Sequence, residues 1–219
     1  MELWDILDEK GNKTGRTMVR GNRIKRGDYH LVVHIWAKNE KGEYLIQKRA
    51  KTVFSMPGKW SSTSGSVVAG EDSLGTAVRE AKEELGIDAP PQNFRLIRRL
   101  MRRQDFADIY LLTQPVDLSA LVLQKEEVEA VKWASREEIT EMVQSGEFHN
   151  YGKEYFDLLF GLISAQEMGD LTRTYLGRSV YHTEITLLQL VIFDLVIHNA
   201  QRFGVLGRND NAAGVAVDA

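Results

Sequence analysis

Hydrophobic and polar positions along the chain fall into short segments of two different periods, separated by turn residues. Residues 2–8, ELWDILD, alternate imperfectly and predict a short strand that ends at the turn signal Glu9-Lys10-Gly11-Asn12. Thr14 to Arg26 is polar and basic, with Gly15, Gly21 and Gly27 breaking it, and predicts a second short strand and a loop. HLVVHIWAK, residues 30–38, is apolar and β-branched, which predicts a buried strand. Asn39-Glu40-Lys41-Gly42 then reads as a tight turn, and EYLIQKR, residues 43–49, is expected to return as the hairpin partner. Further strands are expected over 61–68, over 94–103 and 105–113 as a hairpin, and within 126–133.

The helical period appears in three places. Leu74, Ala77, Val78, Ala81 and Leu85 form one apolar stripe. Its helix is expected to start near Glu71 or Asp72, with Asp72 or Ser73 as cap, and to end at Gly86. Ser135 can cap a helix over about 136–144, and residues 150–164 predict a helix that packs on the sheet. Strands and helices mixed in this order predict an α+β fold. The tail differs: no lysine follows Lys153, and Thr183 to His198 is almost continuously apolar. A domain over 1–164 is expected, followed by a helical C-terminal appendage over 165–219. Its helix at 181–200 is expected to be buried or to pair two chains as a homodimer, and its end to be flexible.

Composition narrows the class. With 219 residues, 43% apolar and 27% charged, the chain suits one full globular domain and an appendage. A net charge of −3 gives no footprint for a nucleic-acid polymer. No run reaches the roughly 18 to 20 apolar residues that span a bilayer. MELWDILDEK lacks a leader's basic and apolar regions, so a cytoplasmic protein is expected. The absence of cysteine excludes disulfides, thiolate zinc and a thiol nucleophile. His30 and His34 share one strand face and are expected to pack or hydrogen-bond there; the five histidines show no metal spacing.

Candidate chemistry lies on the first helix. Glu80, Glu83 and Glu84 stand at i, i+3 and i+4, so they share a face and repel one another. Alone they suit a solvated acidic face as well as a site for a hard divalent cation. The flanking residues decide the matter. Gly65, five residues, Glu71, seven more, then Arg79-Glu80-Ala81-Lys82-Glu83-Glu84-Leu85-Gly86-Ile87 matches the Nudix box at every specified position. The chain thus resembles a Nudix hydrolase. That resemblance implies an α/β/α sandwich around a mixed β-sheet. It also implies a Mg²⁺-dependent (or Mn²⁺-dependent) hydrolase that cleaves a small-molecule nucleoside diphosphate linked to a group X. It makes Glu83 and Glu84 metal ligands, Glu80 a ligand or base, and Gly65 a carbonyl ligand. Arg79 would orient the carboxylates, with Glu71 as its partner.

Other residues are candidates by position. Lys48 and Arg49 end a strand where they can hold phosphate oxygens, Arg49 bidentately. Arg99 belongs to a cluster that suits either phosphates or a wet sheet face. Glu126, Glu127 and Glu129 are candidates for an extra ligand or base, with Glu127 preferred. WDILDEKG, YHLVVHIW, LIQKRA and MPGKW resemble the isopentenyl-diphosphate isomerase branch of the same superfamily. That chemistry implies an active-site cysteine, and Ser61-Ser62-Thr63-Ser64 offers hydroxyls instead. An isomerase-like enzyme and a nucleotide-sensing domain without catalysis are the alternatives.

Overall fold

The computed structural model describes residues 2–161. The boundary expected near residue 164, the helix at 181–200 and the flexible end lie outside the described residues. Nine strands and three helices make up the described part. β1 (Leu3–Leu7) and β2 (Lys13–Val19) form an antiparallel pair. β3 (His30–Ala37), β6 (Thr63–Ser66), β7 (Phe94–Met101) and β8 (Asp105–Leu112) form a mixed sheet in the order β6-β3-β8-β7. β4 (Tyr44–Arg49), β5 (Trp60–Ser61) and β9 (Val128–Ala134) form an antiparallel sheet in the order β5-β4-β9. The helices are α1 (Ser73–Leu85), α2 (Arg136–Ser145) and α3, residues 153–161.

The two layers of core explain why the central strands read as continuous apolar runs. Val33, Ile35 and Ala37 of β3, Leu45 of β4, and Tyr110 and Leu112 of β8 pack with Ala77, Ala81 and Leu85 of α1. The residues between them, Trp36, Ile46, Ile109 and Leu111, pack on the opposite side with Ile139 and Met142 of α2 and Tyr155, Leu159 and Phe160 of α3. Strand residues alternate between these layers because successive side chains point to opposite faces. His34 lies in the second layer, where its Nδ1 meets the Tyr155 hydroxyl at 2.8 Å.

Two expectations about pairing are corrected. The hairpin expected between β3 and β4 closes with a single bridge, Lys38 to Tyr44, and the strands then separate. β3 has no free edge for β4, because it pairs with β6 on one side and, in parallel, with β8 on the other. β4 pairs instead with β5 and β9. Likewise the single strand expected over 61–68 is divided, and the chain passes from one sheet to the other at Ser62.

The ends of α1 follow their sequence signals. The Asp72 carboxylate accepts from the Gly75 N–H at 2.7 Å, which caps the N-terminus. Gly86 adopts φ 71°, and the N–H groups of Gly86 and Ile87 donate to the carbonyls of Lys82 and Ala81. A Cβ at Gly86 would lie 2.9 Å from Val122 Cβ and 3.0 Å from the Val122 nitrogen. Gly86→Ala is therefore expected to cost roughly 1 to 3 kcal/mol from backbone strain plus this contact, measured as the shift in urea midpoint. No helix among the described residues is long and apolar enough to cross a membrane.

Candidate active site

α1 lies against β6, and glycine at position 65 permits the contact. A Cβ on Gly65 would fall 2.1 Å from both Cδ and Oε1 of Glu80 and 2.4 Å from its Cγ. The missing side chain is thus the space that the Glu80 carboxylate fills. On the next turn Glu84 points into the protein and is only 4% exposed. Its Oε2 accepts from Gln47 Nε2 of β4 at 2.7 Å, and Gln47 Oε1 in turn accepts from Thr63 Oγ1 at 2.8 Å. Glu83 stays at the solvent edge.

Arg79 ties this cluster together. Its Nη1 donates to Glu80 Oε1 and Glu83 Oε2, each at 2.9 Å. Its Nε and Nη2 reach Glu71 Oε1 at 3.2 Å and Oε2 at 3.1 Å, a bidentate grip. Thr76 Oγ1 adds a hydrogen bond to Glu71 Oε2 at 2.7 Å. Burial pushes the Glu71 carboxyl up, but Arg79 and Thr76 outweigh it and hold the group below the usual carboxylate range. Burial also works against the Arg79 charge, and the three glutamates overcome it, so the guanidinium is held more firmly protonated than usual.

The two buried carboxyls respond in the opposite direction. Burial raises Glu84 to about 7, with a smaller push from the charge on Glu80, while Gln47 and Arg49 oppose it. Burial raises Glu80 to about 6 against the pull of Arg79. Keeping these groups ionised costs free energy that a nearby cation would offset.

The carboxylates face a cavity of about 190 Å³ that is lined by Glu2, Glu80, Glu83, Glu84 and Glu127, with Arg20, Arg49 and Arg79. Among the described residues no three His, Asp or Glu side chains converge as a ready metal cage. The reason is visible: Arg79 draws Glu80 and Glu83 to itself, while Gln47 holds Glu84. The donor set nevertheless fits a hard divalent ion, since it offers carboxylate oxygens around a glycine cradle, two of them strained by burial.

A second compartment of about 350 Å³ opens beside the first and shares Arg20, Arg49, Ser64, Gly65 and Ser66 with it. Its wall adds Arg102 and the rings of Trp4, His30, Phe54, His149 and Tyr151, and includes no Asp or Glu. Trp4 and His30 stack at 4.1 Å between centroids. Burial, and then the charge of Arg102, lowers His149 to about 4, so the positive charge here belongs to the arginines.

The candidates named from sequence divide clearly. Glu80, Glu83, Glu84, Gly65, Arg79, Arg49 and Glu127 line the carboxylate cavity, and Glu71 stands behind Arg79. Arg49 Nε donates to the Ser55 carbonyl at 2.8 Å, and its Nη2 lies 3.8 Å from Glu127. Lys48 and Arg99 line neither of these compartments. Lys48 points along the other face of β4 and pairs with Glu129 at 2.9 Å. Arg99 clamps the fully buried Asp108 across the β7–β8 ladder at 2.6 and 2.7 Å. Sequence reasoning missed Gln47, Arg20, Glu2 and Gln124. Only Gln47 had a signal, as an amide inside the apolar run YLIQ.

Comparison with known proteins agrees with this geometry. The family model of the NUDIX domain matches residues 28–157. An uncharacterized Nudix hydrolase of Listeria monocytogenes is 40% identical over 166 residues, covering 75% of this chain and 97% of that protein. Nudix hydrolase 3 of Arabidopsis thaliana is 39% identical over 151 residues, which cover 63% of this chain and 20% of that protein. A crystal structure from Deinococcus radiodurans shares the fold, with a TM-score of 0.59 at 18% identity over 74% of this chain and 99% of that one. A domain match over more than half of the sequence, joined to a near full-length hydrolase relative, places the chain in the Nudix hydrolase family, enzymes that act on diphosphate linkages.

Proposed function

We propose that the protein is a Mg²⁺-dependent hydrolase of a nucleoside diphosphate linked to a second group. The observation that supports this most directly is the set of glutamates gathered by Arg79 beside a compartment whose charged residues are arginines. Glu83, Glu84 and the Gly65 carbonyl would hold the metal. When bound, the metal neutralises phosphate charge and lowers the pKa of a water molecule.

The chain's own groups divide the remaining work. Arg49 and Arg20 lie on the wall common to both compartments and bind phosphate oxygens there. Arg79 fixes Glu80 and Glu83 against Glu71, which prevents the carboxylates from drifting apart. Glu80 accepts the proton from the attacking water, and burial places its pKa near the working range of a base. The water oxygen bonds to phosphorus and the P–O bond of the anhydride breaks, so two phosphate products leave and the proton passes to solvent. The aromatic compartment receives the group beyond the diphosphate.

Formation of a nucleoside monophosphate from a panel of nucleoside diphosphate compounds tests this. Wild type is expected to cleave at least one of them in Mg²⁺ and to fail with chelator. Glu83→Gln should lower kcat by orders of magnitude with the melting temperature nearly unchanged, because Glu83 is exposed. Equal rates in the two proteins would overturn the reading. Isomerisation of isopentenyl diphosphate with its anhydride intact would favour the isomerase instead.

A further inference from the structure

His30, Val32 and His34 alternate along β3, so they share one face of the strand, and all three line the aromatic compartment. His34 is only 3% exposed. It stands opposite Ser64 in the β3–β6 ladder, one residue from Gly65. Ser64 and Gly65 belong to the wall that both compartments share, so His34 adjoins the carboxylate cavity as well.

The neighbours of His34 fix its tautomer. Its Nδ1 meets the Tyr155 hydroxyl at 2.8 Å, and Trp36 Nε1 reaches the same hydroxyl at 3.0 Å. An indole N–H can only donate, so the Tyr155 oxygen accepts from Trp36. The Tyr155 proton then needs an acceptor, and His34 Nδ1 is the one in place. A proton on Nδ1 would leave the buried hydroxyl hydrogen with no acceptor among the described residues, which is costly. Nδ1 therefore accepts, and the single ring proton sits on Nε2. Burial, and then the charges of Arg102 and His149, hold the ring well below the usual histidine range, which agrees with a neutral imidazole.

The Nε2–H group has no partner among the described residues, yet it is not sealed from solvent. Its open side is the compartment that His34 lines. Two other polar handles there are already engaged. Trp4 Nε1 donates to Glu2 Oε1 at 2.9 Å, and the Tyr151 hydroxyl pairs with Ser62 Oγ at 3.0 Å. The charged groups on this wall are arginines, which also only donate. A group rich in acceptors suits such a wall.

We propose that His34 is a specificity-determining residue, which donates from Nε2 to an oxygen or ring nitrogen of the group that fills the aromatic compartment. Tyr155 and Trp36 are positioning residues, since they decide which ring nitrogen carries the proton. The assignment deepens the diphosphate hydrolase reading and rests on it for the reaction, but not for the tautomer. The shared chemistry is a hydrogen-bond acceptor, supplied by a nucleobase edge or by a sugar hydroxyl.

Two measurements on the full chain test this. The first is ¹⁵N NMR of the histidine rings at pH 7 in chelator, with His34 assigned from its loss in His34→Gln. A proton on Nε2 and none on Nδ1 is expected, and a proton on Nδ1 would overturn the proposal. Tyr155→Phe should give a mixture of both tautomers; an unchanged spectrum would remove its positioning role.

The second is steady-state cleavage of UDP-glucose, GDP-mannose and ADP-ribose in Mg²⁺. Each compound cleaved is compared with analogues that lack one sugar hydroxyl, one base carbonyl or one base ring nitrogen. Loss of the acceptor that meets His34 should lower wild-type kcat/KM about tenfold, chiefly through KM. His34→Phe should already be about tenfold weaker on the parent compound and should lose little more on that analogue. His34→Gln restores a donor and should recover most of the loss. The analogue that behaves in this way tells a base acceptor from a sugar one. Should His34→Phe not fold, the double variant with Tyr155→Phe removes both polar partners and takes its place. Wild-type kinetics in the variant would overturn the proposal, as would equal further losses in variant and wild type for every analogue. If wild type cleaves none of the three compounds, the hydrolase reading fails. The His34 Nε2–H signal is then followed as the same compounds are added in chelator, and no shift with any of them would overturn the proposal.

Discussion

Glu84→Gln is expected to stabilise the metal-free protein above pH 7 while reducing turnover by orders of magnitude. The carboxyl titrates at about 7 when folded and near 4.5 in its unperturbed state. Between these values the folded chain holds a proton that the unfolded chain has lost. Stability therefore falls as pH rises through that window and stays low above it. A displacement of this size corresponds to about 3 kcal/mol. Glutamine has no charge to desolvate, and its amide oxygen can still accept the hydrogen bond from Gln47. For a domain of this size the gain should appear as roughly 5 to 10 °C in melting temperature at pH 8 in chelator. At pH 5 wild type and variant should nearly coincide, because both side chains are then largely neutral. Added Mg²⁺ should narrow the gap at pH 8 by stabilising wild type alone. Parallel melts at both pH values would expose the opposite result: a variant no more stable at pH 8 would mean that the buried carboxylate carries no penalty. Stability held below function at one residue is common where charge is buried for chemistry.

Gly65→Ala is expected to remove most activity and leave the fold nearly intact. The new Cβ would meet Glu80 at 2.1 Å from Cδ, a distance real atoms do not share. The helix cannot retreat, since Ala77, Ala81 and Leu85 are packed against the sheet with almost no exposed surface. The Glu80 side chain must rotate instead. An off-rotamer side chain costs about 0.5 to 1.5 kcal/mol, so the melting temperature should fall by only a few degrees. The carboxylate would leave the grip of Arg79 Nη1, and kcat should drop while KM changes little. Circular dichroism and steady-state kinetics on the same preparation separate the two effects. Wild-type kcat in the variant would show that Glu80 works equally well from another position. It would also remove the reason for glycine at that site.

Much of the site was legible because a helix fixes its own face. Glu80, Glu83, Glu84 and Arg79 lie within two turns, so their neighbourhood follows from spacing, and Glu71 lies eight residues before Arg79, just ahead of the helix. The caps at Asp72 and Gly86 were legible for the same reason, since each acts on atoms a few residues away. Lys48 and Arg99 were not. A strand residue's surroundings depend on which strand lies beside it, and the partners of both were set by register. Arg99 stands opposite Asp108, and Lys48 opposite Ala130, one residue from Glu129. The expected β3–β4 hairpin failed on the same point. Turn chemistry at Asn39 to Gly42 was sound, but the strands it joins belong to different sheets.

The sequence by itself determined the reaction family, the helix that carries the carboxylates and the residues that end that helix. It did so because those features are local, and because a box of nine specified positions leaves little freedom. Only the tertiary structure decided how the carboxylates differ. Glu83 remains wet, while Glu80 fills the space left by Gly65 and Glu84 is enclosed beside Gln47. Burial is a property of what packs around a group, and it raises both Glu80 and Glu84 above the usual carboxylate range. The same holds for Arg20, Arg49 and Arg102, which lie far apart in the chain and share one wall only when the sheets are assembled.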